Sequence, residues 1–504
     1  MCGIVGTYPE EDVESIGRGL GMLQHRGPDE QGIADTPVGT LGHSRLAILD
    51  VAEGQQPMAE RDSWIVFNGE VYNYRDLKNE FDEDVETDSD TEVILKLYKH
   101  YGTDTASMLD GMFAFAISDN DSLFLARDPL GIKPLYWSLH DERLYFDSEI
   151  KSLAWMTSDI QEFPPGYWWH SDCGFRKYTE LEKTHPPIIL DTVHRPDGDA
   201  LQIIQDALRE AVQKRLIADD LVEVGVSLSG GLDSSIVAAL AREGRDRLDT
   251  FVVGTPESED IEASQQVADF LGTNHHRYIY TFDEMLDVLP EVIYHLESFD
   301  AALIRSSIPN FFLARLASDH VKVILTGEGA DELFAGYAYL RPINDPVTLH
   351  RELWKITSML HNTNLQRADR MSMAFGLEAR VPFLDENLVD MVFNLPPEWK
   401  MQESDWPEKE LLRRSVVELL PDNIVRRPKQ KFSDGAGSID LLAEHANTTI
   451  SDAAFERERQ VSDLVTLRSK EELLYYRIFN EQFGDRVPPE VIGRTRSITR
   501  GELN

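Results

Sequence analysis

The stretch that most restricts the fold runs from Val222 to Arg242, where Val222, Val224, Val226 and Leu228 alternate and lead into Ser229-Gly230-Gly231-Leu232-Asp233-Ser234-Ser235. The alternation predicts a strand, and Leu232 to Arg242 a helix that Gly244 stops. A glycine-rich turn between the two leaves its amides and the helix dipole facing one place, where an anion is favoured. Leu201 to Ile217 predicts another helix, and Thr250 to Val253 and Val321 to Leu325 predict further strands. Strand, loop and helix in this repeated order imply a parallel sheet covered on both faces, with ligands beyond the carboxyl ends of its strands.

Ahead of this region the texture differs. Trp64 to Phe67, Met112 to Ile117, Ser122 to Ala126 and Arg143 to Phe146 are short strand-like runs broken by Gly, Asp and Asn. Ser89-x-x-Glu92 has capping-box spacing before Val93, Ile94, Leu97 and Tyr98, which predicts a helix from about residue 90. Breakers and charges over 183–187 and 194–199 mark a boundary, and the last fifteen or so residues read as weakly ordered. At 504 residues two large domains are expected.

The 89 acidic residues against 49 basic ones give a net charge of −40, which argues against nucleic acid as a partner. Adaptation to a salty cytoplasm and a well-solvated acidic surface both fit that surplus. No apolar run reaches the roughly 18 residues a membrane span needs, and the start, MCGIVGTYPEED, lacks the features of a signal peptide. Cys2 and Cys173 are the only cysteines, so no disulfide framework is implied and a reducing cytoplasm is the expected location.

A second glycine-rich loop, Thr326-Gly327-Glu328-Gly329-Ala330-Asp331-Glu332, follows the Val321 strand. Three carboxylates in one tight turn repel one another unless a metal ion or a proton intervenes, which favours magnesium held with nucleotide phosphates, against the alternative of a solvated acidic turn. Lys429, in the basic run 426–431, is a candidate counter-charge for pyrophosphate.

Cys2 stands behind the initiator methionine. If Met1 is removed, one residue supplies a thiol and a free α-amine, nucleophile and proton acceptor together. Asn68-Gly69-Glu70 offers a side-chain amide and a closely approachable main-chain amide for an oxyanion, while Arg45 suits a substrate carboxylate and Glu70 and Asp90 its ammonium. Such a set selects a free α-amino acid. Taken singly, Arg45 also suits a surface ion pair, Asn68-Gly69 a hairpin turn and Asp90 a first-turn helix charge.

Ser229 to Ser235 matches the SGGxDS pyrophosphate loop of ATP pyrophosphatases. Met1 to Ile4, His25-Arg-Gly-Pro-Asp29, Ser44 to Asp50, Asn68 to Asn73, Gly111 to Phe115, Arg127 to Tyr136, Arg380 to Asp385 and Lys429 to Asp434 stand with it in a fixed order. In these motifs the chain resembles the glutamine-hydrolysing asparagine synthetases over nearly its whole length.

The resemblance implies a class II glutaminase at 1–185, an Ntn-type αββα sandwich, then a linker at 186–199 and a parallel-sheet α/β ATP-pyrophosphatase domain at 200–504. It implies that Cys2 attacks the glutamine amide, with Asn68 and Gly69 stabilising the oxyanion and Arg45, Asn68, Glu70 and Asp90 holding glutamine. ATP is assigned Leu228, Ser229, Gly230, Gly231, Asp233, Ser234, Val253, Gly327 and Lys429, with Leu228 and Val253 near the adenine, and Mg2+ is assigned Asp233 and Asp331. Glu328 is the implied base and Arg305 the implied grip on the acceptor. Aspartate would form β-aspartyl-AMP, and ammonia led through an enclosed tunnel would displace AMP. Met112 is a candidate wall residue, or else a core methionine. Glutamine, aspartate and ATP are the expected partners, with a homodimer compatible and neither nucleic acid nor membrane.

Two departures bear on the acceptor. Ala301-Ala302-Leu303 stands before Arg305 where well-known members carry two threonines, and Ala330 replaces a serine found in some relatives. A paralogous amidotransferase acting on another carboxylate is therefore the alternative. β-Lactam synthetases lack the terminal cysteine, and a non-catalytic binding protein would have no need of Cys2, Glu328 and the two aspartates together.

Overall fold

A computed structural model describes residues 2–80, 85–140, 142–179, 181, 183, 185, 196, 198–401, 406–429 and 439–495. Most of the linker at 186–199, residues 430–434 of the last motif and the final nine residues of the weakly ordered end lie outside these.

Twelve strands precede the linker: β1 Gly3–Tyr8, β2 Glu30–Thr36, β3 Gly39–Arg45, β4 Met58–Glu60, β5 Ser63–Val71, β6 Gly111–Asp119, β7 Ser122–Arg127, β8 Tyr136–His140, β9 Arg143–Asp147, β10 Gln161–Glu162, β11 Tyr167–His170 and β12 Gly174–Lys177. They form two six-stranded sheets, ordered β10-β8-β9-β1-β3-β2 and β12-β11-β7-β6-β5-β4. Period-two alternation builds the layers. Ile4, Val66, Ala114 and Ala116 point into the core between the sheets. Val5 points outward against Ile16, Leu20 and Leu23 of helix α1, Val13–Leu23. Ile65, Phe67, Phe113 and Phe115 point the other way, onto Val93, Ile94 and Leu97 of helix α2, Asp90–Tyr101. The result is the expected αββα sandwich.

Asn68 and Gly69 lie inside β5, so the hairpin alternative is excluded. The capping box at α2 also differs from expectation. Ser89 caps the helix through the amide of Thr91, while the Glu92 carboxylate accepts from the amides of Glu86 and Thr87. The preceding loop competed successfully for that carboxylate.

Five further strands, β13 Val224–Ser227, β14 Asp249–Gly254, β15 Asn274–Ile279, β16 Val323–Leu325 and β17 Glu378–Arg380, form a parallel sheet in the order β15-β14-β13-β16-β17. Helices α3, Gly198–Lys214, and α4, Leu232–Arg242, flank it within a few residues of their predicted bounds. Val224 and Val226 of β13 and Val323 and Leu325 of β16 enter the core that holds α4, whereas Ile324 enters the core on the opposite face. Both faces are covered, as the continuous apolar runs require.

His43 of β3 joins the first domain's sheets by donating from Nε2 to the carbonyl of Phe67 at 3.1 Å. Burial pushes its pKa down to about 3. Since the unfolded value is about 6.5, the unfolded chain takes up this proton first as pH falls, so the neutral imidazole's contribution is complete above pH ~6.5 and lost below it. Asp90 and Glu332, which burial pushes up to about 7, act with the opposite sign, so the whole-protein slope does not isolate His43. We expect the stability difference between wild type and His43→Gln, from urea midpoints, to shift against wild type by about 1.4 kcal/mol per pH unit below 6.5. A difference constant from pH 7.5 to 5 would contradict this.

Candidate active sites

A pocket in the first domain is lined by Cys2, Arg45, Leu46, Gly69, Glu70 and Asp90 among others, so five of the predicted glutamine-site residues meet there. Asn68 joins them from behind: its Oδ1 accepts from the Cys2 nitrogen at 3.0 Å. Its Nδ2 is buried without a partner among the described residues, as suits a donor reserved for an oxyanion. Gly69 cannot be replaced without a shift, because a Cβ there would lie 2.1 Å from the carbonyl oxygen of Met112 on β6. Burial pushes the Cys2 thiol up, so the nucleophile needs a base beside it.

Arg45 is walled in. It donates from Nη1 to Glu30 at 2.9 Å and from Nη2 to the carbonyl of Asp50 at 2.6 Å, which fixes its guanidinium at the pocket. Asp90 accepts from the amide of Val71 at 3.0 Å. Burial holds the Glu70 carboxyl well above the usual range.

Two pocket groups were missed by sequence reasoning, and both come from β17, some three hundred residues downstream. Glu378 lines the pocket, and Arg380 donates to Glu70 at 2.9 Å and to Glu378 at 2.5 Å. Against the cost of burial, Arg380 and Lys133 help bring Glu378 down to about 2. Three carboxylates, Glu70, Asp90 and Glu378, therefore crowd one small pocket, which attracts an ammonium group. For Arg380 the signal lay in the run Arg380 to Asp385, already noted as a motif without a role; Glu378 stands two residues before that run.

The second site lies where β13 and β16 run side by side, so that the Ser229 and Thr326 loops emerge together at the point where strand order reverses. Their contact is close: a Cβ on Gly327 would lie 2.8 Å from the Asp233 side chain. Ser229, Gly230, Gly231 and Ser234 form the predicted turn, with the Gly231 amide donating to Ser229 Oγ at 3.3 Å and Ser234 Oγ to the Gly231 carbonyl at 3.3 Å. Leu228 and Val253 sit at the ends of β13 and β14 with buried side chains.

Two lysines offset the repulsion within the acidic turn. Lys409 Nζ reaches Asp233 at 2.6 Å and Asp331 at 2.5 Å, and Lys429 Nζ also pairs with Asp331. Burial would raise Asp331, but the two ammoniums bring it down to about 2. Glu328 pairs with Arg367, and the Tyr337 hydroxyl donates to Glu332, which burial beside Asp331 pushes up to about 7. Lys409 and Arg367 carried no motif signal and were missed. Arg305 lies on helix α5, Ala301–Ser318, with its guanidinium ion-paired to Glu471, which also accepts from the Tyr475 hydroxyl at 2.8 Å.

Among the described residues no three His, Cys, Asp or Glu converge as a cation cage. Magnesium needs none, because it binds through one or two carboxylates together with phosphate oxygens. The hard oxygens of Asp233 and Asp331, facing a common cation, fit that pattern. No helix among the described residues is long and apolar enough to cross a membrane.

The class follows from matches to known families. Residues 1–164 match the glutamine amidotransferase domain, and residues 204–346 and 341–486 match asparagine synthase. The chain is 38% identical over 515 residues to asparagine synthetase [glutamine-hydrolyzing] 2 of Oryza sativa subsp. japonica, covering 96% of this chain and 86% of that one. It is 38% identical over 513 residues to asparagine synthetase B of Escherichia coli K12, covering 96% and 91%. A probable asparagine synthetase of Schizosaccharomyces pombe is 37% identical over 530 residues, covering 96% and 94%. The chain belongs to the glutamine-hydrolysing asparagine synthetase family.

Proposed function

We propose that this protein amidates aspartate to asparagine at the expense of ATP, with nitrogen taken from glutamine, residues 1–185 releasing ammonia and residues 200–504 using it. The observation that carries the reading is a single buried apolar cluster. It includes Leu46 and Ile48 at the Cys2 pocket, Met112, Leu130 and Ile132, and Leu232 and Ala330 at the two nucleotide loops. Neutral ammonia crosses such surroundings, whereas ammonium is excluded by desolvation.

In the first pocket Arg45 takes the α-carboxylate of glutamine, and Glu70 and Asp90 take its ammonium. The Cys2 thiol, its proton passed to the α-amine freed when Met1 is removed, attacks the side-chain amide carbon while Asn68 and Gly69 hold the oxyanion; the C–N bond then breaks, the α-ammonium gives its proton to the departing ammonia, and water hydrolyses the thioester to glutamate and free Cys2. In the second site the aspartate β-carboxylate attacks the α-phosphorus of ATP and pyrophosphate leaves toward Lys429. Asp233 and Asp331 are the residues that would hold magnesium together with ATP oxygens, and the ion would supply charge neutralisation on the phosphates. Ammonia then forms the C–N bond to the acyl carbon, the bond to AMP breaks, and Glu328 accepts the surplus proton. A buried, unpaired Cys2 suits a reducing cytoplasm.

Arg305 paired to Glu471, together with Ala302 and Leu303 at the turn before it, favours a second reading in which another carboxylate is the acceptor. Carboxylate acceptors, aspartate included, are to be screened for AMP and pyrophosphate release with ammonium as the nitrogen source. Aspartate is expected to give both products, and silence from aspartate alone would favour the second reading. Glu328→Ala is expected to reduce amide formation by ~100-fold or more with either nitrogen source; near-normal rates would remove Glu328 as the base.

A further inference from the structure

Glu328 is held on one side by a residue to which no role has been attached. Arg367 lies on helix α6, Asn364–Met373, with only 8% of its surface exposed. One guanidinium nitrogen, Nη2, pairs with Glu328, and the other, Nη1, donates to Ser306 Oγ at 3.0 Å. Ser306 Oγ in turn donates to the carbonyl of Leu303 at 2.9 Å, in the first turn of α5. A planar guanidinium with two donors engaged in different directions has little freedom left to rotate. Its helix is also pinned from both sides of this residue. Gln366 Nε2 donates to the carbonyl of Leu296 at 2.9 Å, while Asp369 and Arg370 are locked into buried ion pairs with Arg26, at 2.8 Å, and Glu149, at 2.8 Å.

From this arrangement we propose that Arg367 is the positioning residue for Glu328, anchored by Ser306 and aiming the carboxylate at the nitrogen that attacks the adenylate. The inference rests on Glu328 being the base. Adenylation needs the acceptor and ATP, not the base, so loss of Arg367 leaves the acyl adenylate to form and then to be lost to water. The quantity that changes is the amount of amide made per pyrophosphate released. A purely structural role would lower both together. A role in gripping the acceptor's own carboxylate would raise the KM for the acceptor and leave the ratio unchanged.

The test measures amide and pyrophosphate in the full-length enzyme, with ammonium as nitrogen source, saturating ATP and aspartate varied up to saturation. Arg367→Met is expected to lower amide per pyrophosphate by ~10-fold or more. Arg367→Lys, which keeps one charged donor, should recover most of that loss, and Ser306→Ala should lower the ratio by about two- to threefold. Ser306→Ala and Arg367→Lys decide the matter if Arg367→Met does not fold. Wild-type coupling in Arg367→Met would overturn the proposal, as would an unchanged ratio in Ser306→Ala or a loss confined to the KM for aspartate. Glu328→Gln is measured alongside. If it keeps its amide yield, the reading of Glu328 fails and takes this inference with it. If it loses the amide while the Arg367 variants keep theirs, only the inference fails.

Discussion

Replacing Cys2 with alanine is expected to cut glutamine-driven amide formation by at least ~1,000-fold while synthesis from added ammonium stays within about twofold of wild type. The separation is geometric. Cys2 lines a pocket in the antiparallel half, whereas the two glycine-rich loops emerge from β13 and β16 of the parallel sheet. The thiol is smaller than the cavity it faces, so its loss changes little packing. Amide formation, assayed with glutamine or with ammonium at pH 8, measures both arms. If the ammonium-driven rate collapses as well, the two halves do not divide the labour as proposed.

Lys409→Met should produce the largest defect on the other side. The Lys409 ammonium is nearly fully buried and bridges Asp233 and Asp331, one from each glycine-rich loop. Truncating one partner of a buried pair leaves uncompensated charge and costs about 3–5 kcal/mol. Here two carboxylates lose their shared cation, although Lys429 still reaches Asp331. The loops would separate, and we expect ATP–pyrophosphate exchange to fall by ~100-fold. Glutamine hydrolysis should persist, since Lys409 is not one of the residues that line the Cys2 pocket. Exchange within threefold of wild type would show that the bridge does not organise the nucleotide site. The urea midpoint should fall at the same time.

Much of the fold could be read directly because its signals are local. Val224, Val226 and Leu228 alternate at the spacing of a strand, and Ser229 to Ser235 supplies the turn before α4. The runs in β5, β6, β7 and β9 were visible for the same reason. Short strands such as β4, β10 and β12 were not, since two to four residues hold too little pattern. At α2 the sequence spacing promised a capping box, but the amides of Glu86 and Thr87 took the Glu92 carboxylate first.

The candidate sites divide along the same line. Cys2, Asn68-Gly69-Glu70, Ser229 to Ser235 and Gly327 to Asp331 are contiguous, and their chemistry follows from neighbours one to three residues away. What neutralises them does not. Arg380 meets Glu70 across 310 residues, Lys409 meets Asp233 across 176 and Arg367 meets Glu328 across 39. A buried carboxylate must find a cation, but composition and periodicity leave open which of 49 lysines and arginines it finds. The chain's own order of residues therefore determined the two halves, their loops and the reactive groups. Only the packed structure decided the partners, because charge pairing acts through space and is set by how strands and helices far apart in the chain come to lie together.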